Sequence, residues 1–170
     1  MKRSSCRGIF PIVFAVALIS AAAQSPPTDP LLHKPAPTFV RTDIDQHAID
    51  LSAYRGRVVL LTFWATWCAP CRVEMPRFTA WQQRYASMGL TIVAVSMDDD
   101  PAPVRALLRK HPVNYPVLMG DRELATEYGG ILGLPVTFLI DRQGIVAARF
   151  KGETRLIPIH RELARLLNSP

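Results

Sequence analysis

The sequence predicts an α/β fold, a central mixed β-sheet with helices on both faces. Three observations predict it. The runs RVVLLTFWA, LTIVAVSM and LPVTFLID are almost continuously apolar and rich in β-branched and aromatic residues, the pattern of strands buried on both faces. Helical spacing and capping residues mark the stretches between and after them, so the order reads β-α-β-α-β-β-α. The composition suits one packed domain: 170 residues, 49% hydrophobic and only 20% charged.

Taken in order, FVRTDIDQHAIDLS reads as a short hairpin turning near Asp45 and Gln46. RVVLLTFWA follows as the first buried strand. A helix should start at Cys68 and run toward Met88, with Met75, Phe78, Trp81, Gln82 and Tyr85 on one face and Gly89 closing it. LTIVAVSM is the second buried strand. DDDPAPVRALLRKH reads as an acidic turn and a helix, with Asp and Pro at its start and Arg109, Lys110 and His111 at its end. YPVLMG is a short extended piece, and DRELATEYGG a short helix closed by glycine. LPVTFLID is the third buried strand, DRQG a turn, IVAARF a fourth strand, and TRLIPIHRELARLLN a C-terminal amphipathic helix.

The N-terminus reads as an export signal over residues 1–23. MKRSSCR is positive, GIFPIVFAVALI is apolar, and Ala21-Ala22-Ala23 fits a cleavage site that leaves Gln24 first. The apolar run is short of the ~20 residues of a spanning helix; an uncleaved segment acting as a membrane anchor is the alternative. Residues 24–37 are rich in proline and polar side chains and read as a linker, leaving 38–170 as the folded domain. Cys6 precedes the apolar run and leaves with the signal. Export would place the mature chain in a compartment where disulfides persist. Without residues 1–23 the chain holds 17 basic and 14 acidic side chains, a net of +3, scattered among one another. That bias implies no nucleic-acid partner.

The remaining cysteines fall in FWATWCAPCRVEMP. Cys68-Ala-Pro-Cys71 follows a buried strand and opens a helix. At a helix N-terminus, unpaired N–H groups and the macrodipole stabilise a thiolate. Cys68 is therefore placed to attack a disulfide, and Cys71, one turn inside, to resolve the mixed disulfide. Pro70 stiffens the loop and suits a first helical turn. Zinc would want a second cysteine pair or spaced histidines. His33, His47, His111 and His160 have no ligand spacing, so no metal is expected. A purely structural disulfide across two residues closes too short a loop to stabilise much. Arg72 after Cys71 excludes C-x-x-C-H haem attachment.

FWATWCAPC, Pro76 five residues after the second cysteine, and GLPVTFLID together resemble the thioredoxin superfamily. The hairpin lead-in, the exported N-terminus, CRVEMP and the inserted βα segment around VSMDDDPAPVRALL resemble its TlpA/ResA-like branch of periplasmic or membrane-tethered thiol-disulfide oxidoreductases. The likeness spans about Pro35 to Leu167. It implies a thioredoxin-like fold, no cofactor, and Pro135 as a cis-proline packed beside the disulfide. The backbone of Leu134 would then pair with a substrate segment, with Trp67 and Pro70 flanking the docking surface. Trp64 reads as core, and Pro76 as a kink in the active-site helix with no role of its own.

The resemblance also bears on the proton. Where thioredoxin carries a buried aspartate this chain has Thr62, which cannot act as a base. The TlpA/ResA-like pattern places a glutamate three residues after the second cysteine, and Glu74 fits. A carboxylate partly withdrawn from water holds a proton more readily and could accept the one on Cys71. The alternatives are a solvated glutamate or a partner for Arg77. One departure stands out: Tyr128-Gly129-Gly130-Ile131-Leu132-Gly133-Leu134-Pro135 carries one residue more than the family's usual loop, which bears on partner choice.

The leading expectation is thus a monomeric enzyme that exchanges disulfides with exported proteins. It would act as a reductant in cytochrome c maturation or copper-site assembly, kept reduced by a membrane thiol transporter of the DsbD/CcdA kind. A copper-handling thiol protein and a DsbA-like oxidant are the alternatives. A peroxiredoxin is disfavoured, because in P-x-x-x-T-x-x-C position 65 is Ala while position 68 is the cysteine.

Overall fold

A computed structural model describes residues 29–152 and 156–169. The expected export signal, its cleavage site and Cys6 lie outside the described residues. The chain runs through β1 (Val40–Thr42) and β2 (Ala48–Asp50), then β3 (Val58–Trp64), α1 (Ala69–Tyr85), β4 (Leu90–Ser96) and α2 (Pro101–Lys110). It continues through β5 (Val117–Met119), α3 (Arg122–Glu127), β6 (Val136–Ile140), β7 (Val146–Lys151) and α4 (Leu156–Leu167).

Five strands form one sheet in the order β5-β4-β3-β6-β7. β3 pairs parallel with β4 and antiparallel with β6, so the sheet is mixed as predicted. β3 is central because every residue of VVLLTFW is buried; its side chains alternate into two cores. Val58, Leu60 and Trp64 face the core closed by α1, α2 and α4, through Phe78, Tyr85, Val104, Ile159 and Leu163. Val59, Leu61 and Phe63 face the core closed by α3 and the hairpin, through Leu124, Tyr128, Phe39 and Ile49. Helices thus cover both faces. The piece predicted only as extended at YPVLMG is a full edge strand, β5, paired with β4.

Local chemistry accounts for the boundaries. The hairpin turns where Asp43 Oδ1 accepts the N–H groups of Asp45 and His47 at 2.9 and 2.8 Å, with Gln46 left-handed. Asp100 caps α2 by accepting the Ala102 N–H at 2.8 Å, ahead of Pro101. After α1, a 3₁₀ turn over Ala86–Met88 ends on Gly89 at φ 94°. A side chain there would be strained, and its Cβ would stand 2.7 Å from the Arg142 guanidinium.

From Asp29 onward the lead-in lies against the sheet. Lys34 and Val146 bond through backbone, Pro35 bridges Ile145, and Ala36 N–H donates to Gly144 O. Asp29 accepts from the Arg149 guanidinium at 2.7 Å, and that side chain is 3% exposed over the Phe138 ring. Burial pushes the Asp29 carboxyl up. The Leu31 N–H and the charge and hydrogen bond of Arg149 more than offset this, leaving it below the usual carboxylate range. The pair therefore stabilises the fold at neutral pH, and its contribution fades as acid titrates Asp29, below about pH 4. Arg149→Ala should cost about 3 kcal/mol at pH 7, by denaturant unfolding, and clearly less at pH 3. An equal cost at both pH values would contradict the assignment.

Candidate active site

The two cysteines stand where β3 gives way to α1. β3 ends at Trp64, three residues cross the end of the sheet, and Cys68 occupies the cap position of α1. Its N–H donates to Ala65 O at 3.1 Å. Its Sγ accepts the Cys71 N–H at 3.3 Å, so the sulfur sits among the first, otherwise unpaired, amides of the helix. Pro70 lies in the first turn, where its missing N–H costs nothing. Cys68 and Cys71 form a disulfide with Cα atoms 5.3 Å apart. Cys68 is 5% exposed and Cys71 2%, whereas the neighbouring Trp67 is 69% exposed. Pro76 lies inside the helix, which continues past it to Tyr85.

Beneath Cys71 lies a small cavity lined by Thr62, Trp64, Glu74, Phe78 and Tyr115 among others. Glu74 is only 2% exposed, which rules out the solvated-glutamate alternative. It shares this cavity with Cys71, one turn back along α1. Tyr115 lies close by: burial pushes its hydroxyl well above the ordinary value, a hydrogen bond with Thr79 pulls it back, and the Glu74 carboxyl adds a smaller push. Thr62 is buried and accepts a hydrogen bond from Thr137 at 3.1 Å, so a hydroxyl pair spans β3 and β6 at this position, beside the cavity that Cys71 also lines. Trp64 is core, at 3% exposure.

The Leu134–Pro135 bond is cis. Val136 pairs with Phe63 across β6 and β3, which brings Pro135 alongside Trp64 at the end of the sheet carrying the disulfide. Pro135 is buried and Leu134 half-buried. The loop before them turns on Gly129 and Gly130, at φ 76° and 74°, and leaves Leu132 fully exposed. Leu132 thus presents an apolar side chain at the surface of this loop, where sequence reading had noted only its length.

Sequence reasoning missed Asp98. In DDD it looks like one of three interchangeable turn residues. The structure gives the three different places: Asp100 caps α2, Asp99 is exposed, and Asp98 is buried at the end of β4. The Asp98 carboxylate accepts from the Thr66 N–H at 2.9 Å, the Thr66 hydroxyl at 2.5 Å and the Ser96 hydroxyl at 2.7 Å. The available signal was its place directly after a buried strand, where a side chain can still point inward.

Among the described residues, no group of three or more His, Cys, Asp or Glu side chains is placed to hold a metal ion. Of the four histidines, His47 meets Asp43, and His160 meets Tyr85 at 2.8 Å, each in its own local contact. No helix among the described residues is long and apolar enough to cross a membrane.

The family model described as AhpC/TSA family matches residues 32–149. The thiol-disulfide oxidoreductase ResA of Bacillus thuringiensis subsp. konkukian is 35% identical over 120 residues, 71% of this chain and 69% of that protein. ResA of Bacillus subtilis is 36% identical over 126 residues, 74% of this chain and 70% of that one. Among solved structures, a thiol:disulfide interchange protein of the thioredoxin family from Chlorobium tepidum superposes with a TM-score of 0.73 at 30% identity. That match covers 79% of this chain and 96% of the other.

Proposed function

The chain belongs to the AhpC/TSA family, in its ResA-like branch of thioredoxin-fold thiol-disulfide oxidoreductases, and from that premise we propose that it works as an exported reductant of protein disulfides. The observation that carries this reading is the Cys68–Cys71 disulfide at the head of α1, with the buried Glu74 one turn further on. In the reduced protein the Cys68 thiolate attacks a partner disulfide. One partner sulfur leaves as a thiolate and a mixed disulfide forms. Cys71 then attacks Cys68 Sγ, the second partner sulfur leaves, and the Cys68–Cys71 disulfide closes. Two electrons pass from the dithiol to the partner.

Glu74 takes the proton of Cys71 as that thiol becomes the nucleophile. This reading is supported by its burial beside Cys71 and by a threonine at position 62, where no base is available. Trp67 and Pro70 flank the approach of the partner, and the backbone at Leu134, ahead of Pro135, pairs with its extended segment. The exposed Trp67 ring supports that placement, since exposed aromatic side chains beside a reactive group are favoured docking elements.

The proposed setting is the periplasm, after export by residues 1–23. The protein acts there as a monomer and is returned to the dithiol by a membrane thiol transporter of the DsbD/CcdA kind. Its clients are cysteine pairs that must be reduced before use, in apocytochrome c or in a copper site. The test is to mix the reduced protein with an oxidised C-x-x-C-H peptide. Transfer should run nearly to completion, read as loss of peptide disulfide. An equilibrium that leaves the peptide oxidised would contradict the reductant reading and favour an oxidant.

A further inference from the structure

We propose that Asp98 is a positioning residue of the redox centre: from the end of β4 it fixes the three-residue crossing between β3 and Cys68. The crossing, Ala65 to Trp67, must hold Cys68 at the helix cap while projecting Trp67 to the surface. Within the crossing, Cys68 N–H bonds back to Ala65 O at 3.1 Å, and one outside anchor is the Asp98 carboxylate. Asp98 takes both donors of Thr66, backbone and hydroxyl, so it fixes position and orientation of that residue together. A single bond would leave rotation about it.

The anchor is itself anchored. Ser96 hydroxyl donates to Asp98 Oδ2 at 2.7 Å, and the Asp98 N–H donates back to Ser96 Oγ at 3.2 Å. Ser96 is fully buried and pairs with Trp64 in the sheet, while Met97 N–H donates to Trp64 O at 2.8 Å. Gly120 N–H donates to Ser96 O at 2.7 Å, and a Cβ at Gly120 would lie 2.7 Å from atoms of Val95 and Met97. The network therefore runs from the paired ends of β3 and β4, at Trp64 and Ser96, to the residue two before the attacking cysteine. Hydrogen bonds to a carboxylate are stronger than neutral ones, and those inside a dry site stronger again. A displacement of about 1 Å at a reacting group can cost as much as a hundredfold in rate.

This inference rests on Cys68 being the attacking thiol. Two variants test it, Asp98→Asn and Thr66→Val, in the reduced full chain. The readouts are the rate of exchange with a disulfide-bearing peptide and the pH profile of iodoacetamide alkylation, with the alkylated cysteine mapped by mass spectrometry. Asp98→Asn should slow exchange about tenfold and move the Cys68 alkylation curve to lower pH, because the carboxylate held against Thr66, two residues before Cys68, becomes a neutral amide. Thr66→Val should slow exchange about threefold, leaving the curve in place. Parent rates and superimposable curves in folded variants would overturn the proposal, as would a loss of rate that only tracks the folded fraction. If Asp98→Asn does not fold, Thr66→Val decides: a parent rate there overturns it. Mapping of the alkylation to Cys71 in the parent would instead show that the assignment of the attacking thiol had failed.

Discussion

A Cys71→Ser variant should accumulate as a covalent adduct of its partner through Cys68. The first attack needs only the thiolate at the cap of α1, whose helical amides remain in place. The second attack needs a sulfur within reach of Cys68 Sγ, and position 71 is where the Cα atoms stand 5.3 Å apart. A serine hydroxyl there cannot displace the partner thiolate. Turnover should fall at least about a thousandfold, while the mixed disulfide builds up on non-reducing gels. Cys68→Ser should lose turnover to the same extent and form no adduct. An adduct with Cys68→Ser and none with Cys71→Ser would reverse the assigned roles.

Glu74→Gln should separate the two half-reactions. The amide keeps the shape of the carboxylate but cannot accept a proton. Formation of the mixed disulfide should proceed at the parent rate, because it involves Cys68 alone. Resolution should slow about a hundredfold, within the usual range for loss of a general base. In the parent, resolution should quicken with pH, and in the variant that rise should move up toward the range of an unassisted thiol, about pH 8.5. Stopped-flow single turnovers across pH measure both steps. The same pH–rate profile in parent and variant would remove Glu74 from the mechanism and leave its burial as a packing fact.

The strands were legible because burial on both faces leaves an almost pure apolar run, and in VVLLTFW the β-branched and aromatic residues decide for a strand. The helix after Cys68 was legible through its proline, its spaced apolar face and Gly89. The edge strand at Val117–Met119 was less so: three residues carry too short a pattern, and pairing with β4 decides their state. Pro135 and Glu74 were visible through family resemblance, since nothing local marks a cis bond or a buried glutamate. Asp98 was hidden for a physical reason. Three adjacent aspartates have the same turn propensity, and only the sheet geometry selects which one points inward to Thr66. The exposure of Leu132 likewise depends on the loop path set by Gly129 and Gly130.

Direction of electron flow is the central claim, and the reduction potential of the Cys68–Cys71 pair tests it most directly. Equilibration with glutathione or dithiothreitol at pH 7, read by the Trp67 and Trp64 fluorescence or by thiol alkylation, gives the value. A reductant should lie close to the about −270 mV of thioredoxin. A value close to the about −120 mV of DsbA would make the protein an oxidant and contradict the account.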